Sequence, residues 1–278
     1  MIASARLQNE IFAGNRAAGR IALSIAAAGG VSRRARLHEA GSLRVRFPNG
    51  DGRGALDAVI LNTAGGMTGG DRFDIDIGLG AGARLSVTTA AAEKIYRSLG
   101  PDTEIGVKLE VGPGGALAWL PQETILFDQI RLRRGIDVAL ARDARLLLAE
   151  AIVFGRSAMG ETVVCGHLFD RWRVRVDGAL AFAETTRLDG DIAQRLVQRA
   201  IAGGGAAVAG VIKIPGDDEG VAAVRAMQNV FVGEVGISAW NGLAAARLVA
   251  PDGAALRRDL MTVLTALGAG PLPRPWLN

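Results

Sequence analysis

From Arg72 to Leu79 apolar and polar positions alternate without interruption: Phe73, Ile75, Ile77 and Leu79 fall on one side, Asp74 and Asp76 on the other. A period of two predicts a strand with one buried face. The same pattern recurs over 42–47, where Leu43, Val45 and Phe47 alternate with Arg44 and Arg46. Over 104–111, Ile105, Val107, Leu109 and Val111 oppose Lys108 and Glu110. Further strands are predicted over 55–61, 136–140 and 162–167, and over GRIALSIAA at 19–27, which ends at a turn near Gly29 and Gly30. Gly112–Gly115 (GPGG) makes another turn, and Gly65, Gly66, Gly69 and Gly70 make a third that Asp71 closes. That glycine cluster lacks the Lys-Ser/Thr pair of a phosphate loop and leads into a strand, not a helix, so a turn is the favoured reading and intrinsic nucleotide binding is not expected.

A weak repeat runs through the middle of the chain. GARLSVTTAAAE, GGALAWLPQE, DARLLLAE and GALAFAET each contain a small apolar strand with a glutamate near its end, and Glu93, Glu123, Glu150 and Glu184 are 30, 27 and 34 residues apart. Units recurring at this spacing suit stacked layers, as in a β-helix or a long twisted sandwich. Four separate amphipathic strands, each ending in a surface acid, would give the same pattern. After residue 200 the period changes. The segment 217–229 opens with acids and carries Val221, Val224 and Met227 near helical spacing, and 252–267 carries Leu256, Leu260, Val263, Leu264 and Leu267 on one stripe. A third helix is expected over 191–201, and strands over 230–240 and 243–249 joined at Asn241-Gly242. The predicted fold is mainly β: a stacked-strand, β-helix-like or long-sandwich body over 1–204, and a small α+β lobe with a proline-rich tail over 205–278. The lobe is expected to pack on the body as part of one structural unit.

Composition narrows the function. Of 278 residues 49% are hydrophobic and 22% charged, which suits a folded chain with a substantial core. Uncharged runs reach only about a dozen residues, as in 201–212, well short of the ~20 that span a bilayer. Arg6 and Glu10 interrupt any leader-like apolar segment at the N-terminus. The single cysteine, Cys165, excludes an intrachain disulfide and suits a cytoplasmic location. Net charge is only +4 and aromatics only 5%, so Arg33, Arg34 and Arg36, like Arg131, Arg133 and Arg134, are read as solvated faces or contacts for an acidic protein rather than a nucleic-acid surface. Cys165 and His167 form a C-x-H pair of soft ligands, but the chain holds one cysteine and two histidines against the four ligands of a structural site. A buried thiol beside a polar edge histidine is expected instead, and His38 is expected to be structural. No G-x-S-x-G or H-E-x-x-H motif occurs. Paired carboxylates leave a β-helix carbohydrate-active enzyme as the alternative, though the aromatics that line sugar sites are scarce.

Seven segments carry a family resemblance. NTAGGMTGGDR, VTTAAAEKIYRS, WLPQETILFD, FGRSAMGE, FAETTRLDGD, SAWNGL and LPRPWL resemble, in order, motifs of the urease accessory protein UreD (the UreD/UreH family), with matches spread from about Arg36 to Leu277. The resemblance implies a non-enzymatic scaffold, without catalytic residues or a resident cofactor. Such a scaffold binds apo-urease, recruits UreF and the GTPase UreG, and helps deliver nickel. It also implies an internal watery passage whose polar lining carries over onto Asp71, Glu93, Glu150 and Glu184 as transient Ni²⁺ contacts. For each acid a surface or structurally paired carboxylate is the alternative. The residue types fit a transfer role: tight storage of nickel calls for imidazoles and thiolates, whereas passage calls for weak, replaceable oxygens.

Overall fold

The computed structural model describes residues 16–48, 55–98 and 100–277. The leader-like segment carrying Arg6 and Glu10 lies outside them. The described chain opens with β1 (Ala18–Ala28), β2 (Val31–Gly41), β3 (Leu43–Arg46) and β4 (Leu56–Asn62). It then winds in coils. β5 (Arg72–Leu79), β6 (Arg84–Thr89) and β7 (Glu93–Ile95) form one, and β8 (Thr103–Val111), β9 (Ala116–Trp119) and β10 (Thr124–Leu126) the next. β11 (Ile130–Leu140) and β12 (Arg145–Phe154) form a third. β13 (Cys165–Val176) and β14 (Ala179–Asp191) make a hairpin, and β15 (Ala207–Ile214), β16 (Glu234–Trp240) and β17 (Leu243–Ala250) complete the strands.

These strands form a seven-stranded sheet, ordered β14-β13-β11-β8-β5-β1-β2, and a ten-stranded sheet whose main path is β16-β17-β15-β12-β9-β6-β4-β3. Within the first sheet β1, β5, β8, β11 and β13 are mutually parallel; within the second, β4, β6, β9 and β12 are. Parallel pairing puts equivalent residues of successive coils in register, so Ile75, Val107, Ile136 and Trp172 form one inward ladder. Ile77, Leu109, Val138 and Val174 form the next, and Leu85, Leu117 and Leu146 line the facing sheet. These ladders fill the space between the sheets. The body is therefore mainly β with stacked strands, as its patterning predicts. Three of the four repeat units do stack in parallel, as β6, β9 and β12. The fourth, GALAFAET, lies in the opposite sheet, because the chain reverses at Asp177-Gly178, both at positive φ, and β14 runs antiparallel to β13.

The C-terminal strands continue the second sheet: β15 pairs with β12, and β17 with β15. Three helices accompany them, α1 (Ile192–Leu196), α2 (Asp218–Ala226) and α3 (Gly253–Ala266). Asp217 and Asp252 cap α2 and α3 by accepting the N–H groups of Gly220 and Ala255 at 2.7 and 2.8 Å. The α3 stripe of Leu256, Leu260, Val263 and Leu264 packs in a second core with Ala149, Ala209, Val211, Ala246 and Leu248. The helix expected over 191–201 shrinks to the five residues of α1. Asn241 and Gly242, at φ 48° and 77°, make the tight turn from β16 to β17. In the tail Trp276 is 1% exposed and donates its indole N–H to the Leu120 carbonyl at 3.0 Å and the Thr88 hydroxyl at 3.1 Å. Among the described residues no helix is long and apolar enough to cross a membrane.

Candidate functional site

One inward ladder of the first sheet breaks the apolar rule. It begins with Phe73 and Ile105 and continues with Arg134 and Asp170. Strand parity forces this: with Leu132 and Ile136 facing inward, residue 134 must face inward too. The basic cluster Arg131, Arg133 and Arg134, expected to be a solvated face or a contact for an acidic protein, is split in the structure. Arg131 and Arg133 stay outside and pair with Asp102 at 2.8 and 3.5 Å, while Arg134 is 3% exposed between the sheets.

Arg134 is held from both sheets. Its Nε and Nη2 donate to the two oxygens of Asp170 at 3.0 and 2.5 Å, a bidentate fork, and its Nη1 donates to Glu150 Oε2. Glu150 Oε1 accepts the Trp119 indole N–H at 2.7 Å, and Asp170 Oδ1 accepts that of Trp172 at 3.2 Å. Glu150 and Asp170 are each 5% exposed. Glu150 sits on β12, which is buried along most of its length because helices cover its outer side. The trio carries two carboxylates against one guanidinium.

Burial pushes the Glu150 carboxyl upward, against the pull of Arg134 and Trp119, and Asp170 adds to the rise. Burial also opposes the Arg134 charge, but Asp170 and Glu150 outweigh it and hold the guanidinium protonated. Beside the trio lies a cavity of about 510 Å³ that reaches Glu184 and Arg247 and has apolar walls that include Ile152, Leu168, Trp172 and Val208. Glu184 pairs with Arg247, whose guanidinium also lies 5.8 Å from the Phe182 ring. Partial burial raises the Glu184 carboxyl, opposed by Arg247 and reinforced by Asp170. Glu150 and Asp170 are both committed to Arg134, which does not resemble an acid pair free to take sugar and water.

The four acids named from the resemblance thus fall in two places. Glu150 and Glu184 line one cavity, joined there by Arg134, Asp170 and Arg247. Asp71 and Glu93 lie at the glycine turn. Asp71 is 4% exposed and accepts the backbone N–H groups of Ala17 and Thr68, both at 2.8 Å, tying β1 to the turn. Glu93 accepts the Asn62 side-chain amide at 2.9 Å, and its burial raises its carboxyl. Among the described residues no group of three or more His, Cys, Asp or Glu is placed to hold a metal ion. Cys165 is exposed rather than buried, because it starts β13 on the outward side; His167 Nδ1 lies 3.2 Å from Asp189 Oδ1. The residues missed from sequence were Arg134, Asp170 and Arg247. For the first two a signal existed, since each holds an inward position in an alternating run.

The family profile described as "UreD urease accessory protein" matches residues 17–277. Among curated proteins, "Urease accessory protein UreD" of Rhodopseudomonas palustris strain HaA2 is 56% identical over 268 residues, 96% of each chain. The protein of the same name from strain BisA53 is 55% identical over 271 residues, 98% of this chain and 94% of the relative. That of Bradyrhizobium diazoefficiens strain USDA 110 is 53% identical over 270 residues, 97% of each.

Proposed function

The chain belongs to the UreD urease accessory protein family, and from that premise we propose that it is a non-catalytic scaffold of urease maturation in the cytoplasm. It binds the apo-urease subunits, recruits UreF and the GTPase UreG, and passes Ni²⁺ along the cavity that joins Glu184 to Glu150. The observation that carries the conduit is a set of three acids, Glu150, Asp170 and Glu184, lining one cavity of about 510 Å³.

The donors are all oxygens, and each carboxylate already has an arginine partner. An arriving Ni²⁺ must displace Arg247 from Glu184, then Arg134 from Glu150, so each contact is made by exchange and is readily reversed. Burial acts in the same direction: it disfavours the ionised form of Glu150 and Glu184, the form that binds metal, and so weakens the site. Such sites hand a divalent ion onward instead of storing it. In this reading Asp71 and Glu93 support the glycine turn and stand off the route.

The test is Glu150→Gln with Glu184→Gln, which keeps size and one oxygen of each carboxylate but removes its charge. Urease activation in cells should fall about tenfold or more, the equivalent of ~1.4 kcal/mol, while pull-down of the complex with UreF, UreG and urease persists. Full activation by the double variant would overturn the conduit. Failure to capture UreF, UreG or urease with the unaltered protein would overturn the scaffold.

A further inference from the structure

The outer face of the seven-stranded sheet carries a charge pattern of its own. On its central strands, Asp102 immediately precedes β8, whose outward residues read Glu104, Gly106, Lys108 and Glu110. Opposite them on β11 stand Arg131, Arg133, Gly135, Asp137 and Ala139. Glu104 faces Arg133 and Lys108 faces Asp137, so the charge order of one strand is reversed on the other, while Glu110 faces the uncharged Ala139. The flanking strands continue the pattern, with Asp74 and Asp76 on β5 at the levels of Arg171 and Arg173 on β13.

Opposite charges across a parallel pair stabilise a single sheet, and Arg72–Glu104 and Arg171–Asp137, at 3.3 and 2.6 Å, do so here. A Cβ on Gly106 would press on the Asp74 carboxylate at 3.2 Å, which leaves Gly135 unexplained. Gly106 and Gly135 are directly paired at the centre of the sheet, and neither has a positive φ. A Cβ on Gly135 would meet only the Arg171 guanidinium, at an ordinary 3.7 Å. Glycine inside a strand costs stability and often marks a place where something approaches closely. Here the pair floors a depression of about 420 Å³ walled by Arg72, Asp74, Glu104, Arg133, Phe169 and Arg171.

We propose that this face is the seat of a second copy of the same chain, packed about a two-fold axis that runs along the strands between β8 and β11. That operation lays β8 on β11 of the second copy and β5 on its β13. Five pairs of opposite charge then meet: Asp102 with Arg131, Glu104 with Arg133, Lys108 with Asp137, Asp74 with Arg171 and Asp76 with Arg173. Arg72 meets the Phe169 ring, a cation–π pair. The glycines come together on the axis, where their missing side chains leave room for the long arginines of the other copy. An isologous contact needs a self-complementary surface, and the reversed charge order supplies one. Six strands at ~4.8 Å spacing and nine residues at ~3.3 Å give a face on the order of 850 Å², the share of one partner in a standard interface.

Sedimentation of the full chain at roughly 100 µM tests this. A species of twice the chain mass is expected in ~0.05 M salt, shifting toward monomer at ~1 M, where charges are screened within about 3 Å. Arg133→Glu and Glu104→Arg should each weaken self-association tenfold or more, since the axis doubles every change. Mixed together, the two variants should form a heterodimer, because each then offers what the other lacks. A loss caused by damage inside one sheet would not be rescued by mixing. Gly135→Trp, which fills the depression without a backbone clash, should also yield monomer with an unchanged circular dichroism spectrum. A monomer at all salt concentrations would overturn the proposal, as would a dimer indifferent to all three variants, or association of this face only with a different protein.

Discussion

Four strands of the first sheet carry two ladders of opposite character a few residues apart. Ile77, Leu109, Val138 and Val174 form one, and Phe73, Ile105, Arg134 and Asp170 the other. Both face inward on the same strands, and except for Ile105, which is partly buried, all eight residues are buried. They differ in what holds them. Leu109 loses little if a neighbour is exchanged for another hydrophobe of similar size, because dispersion and exclusion of water do not depend on direction. Arg134 depends on two named partners, one from each sheet, and on two indoles that fix those partners. The apolar ladder makes the body stable, whereas the charged one makes a specific polar interior that a fold of this kind does not require.

Removing one charge is the sharpest way to test that contrast. Arg134→Met leaves Glu150 and Asp170 buried without their cation, and should cost about 3–5 kcal/mol in urea unfolding. Adding Glu150→Gln and Asp170→Asn should recover most of that loss, since the penalty comes from unpaired charge and not from lost packing. Leu109→Ala, on the apolar ladder, should cost about 2–5 kcal/mol by leaving a cavity, and no second substitution at a polar site should restore it. If Leu109→Ala were rescued by changes at Glu150, the two ladders would not be independent. Away from both, Asp252→Ala removes the α3 cap and should cost about 1 kcal/mol by the same measurement.

The smallest effect is one of pH. Burial raises the folded Glu93 carboxyl above its unfolded value, so its ionisation costs stability as pH rises through the folded value. Glu93→Gln removes that cost and still accepts from Asn62. Its melting temperature should exceed that of the unaltered chain at neutral pH, and the gap should close below the ordinary carboxylate range near ~4.3. A gap that widened on acidification would contradict the assignment.

How far the sequence could be read depended on whether one face of an element was wet. β5 is bounded at Arg72 and Leu79 both by its alternation and by its hydrogen bonds, and α3 falls within one residue of the predicted 252–267 at each end. β2 went unseen because an edge strand with mostly exposed residues and a register shift at its partner's Ser24 and Ile25 has no alternation to detect. β12 is buried on both sides, so Glu150 stands in an apolar run whose period says nothing about direction. The Arg134–Asp170 pair was legible by parity alone, but a cluster of three arginines in four residues looks like a surface when counted rather than phased. Arg247 left no such trace, since its partner is on the other sheet and 63 residues away.

The coil order bears on how the chain assembles as it leaves the ribosome. In the first sheet Ile105 pairs with Phe73, 32 residues upstream, Arg134 with Ile105, 29 upstream, and Asp170 with Arg134, 36 upstream. Each new strand can therefore dock on an edge that is already out and waiting. Arg134 and Glu150 emerge before Asp170, so a nascent chain halted between β12 and β13 ends in an open parallel edge with a guanidinium one carboxylate short. Synthesis of β13 supplies that carboxylate and the next strand in a single step. A pause with that much of the chain exposed would present both defects at once, and ribosome-bound chains that have cleared the exit tunnel up to about residue 165 should be the ones most avidly held by chaperones.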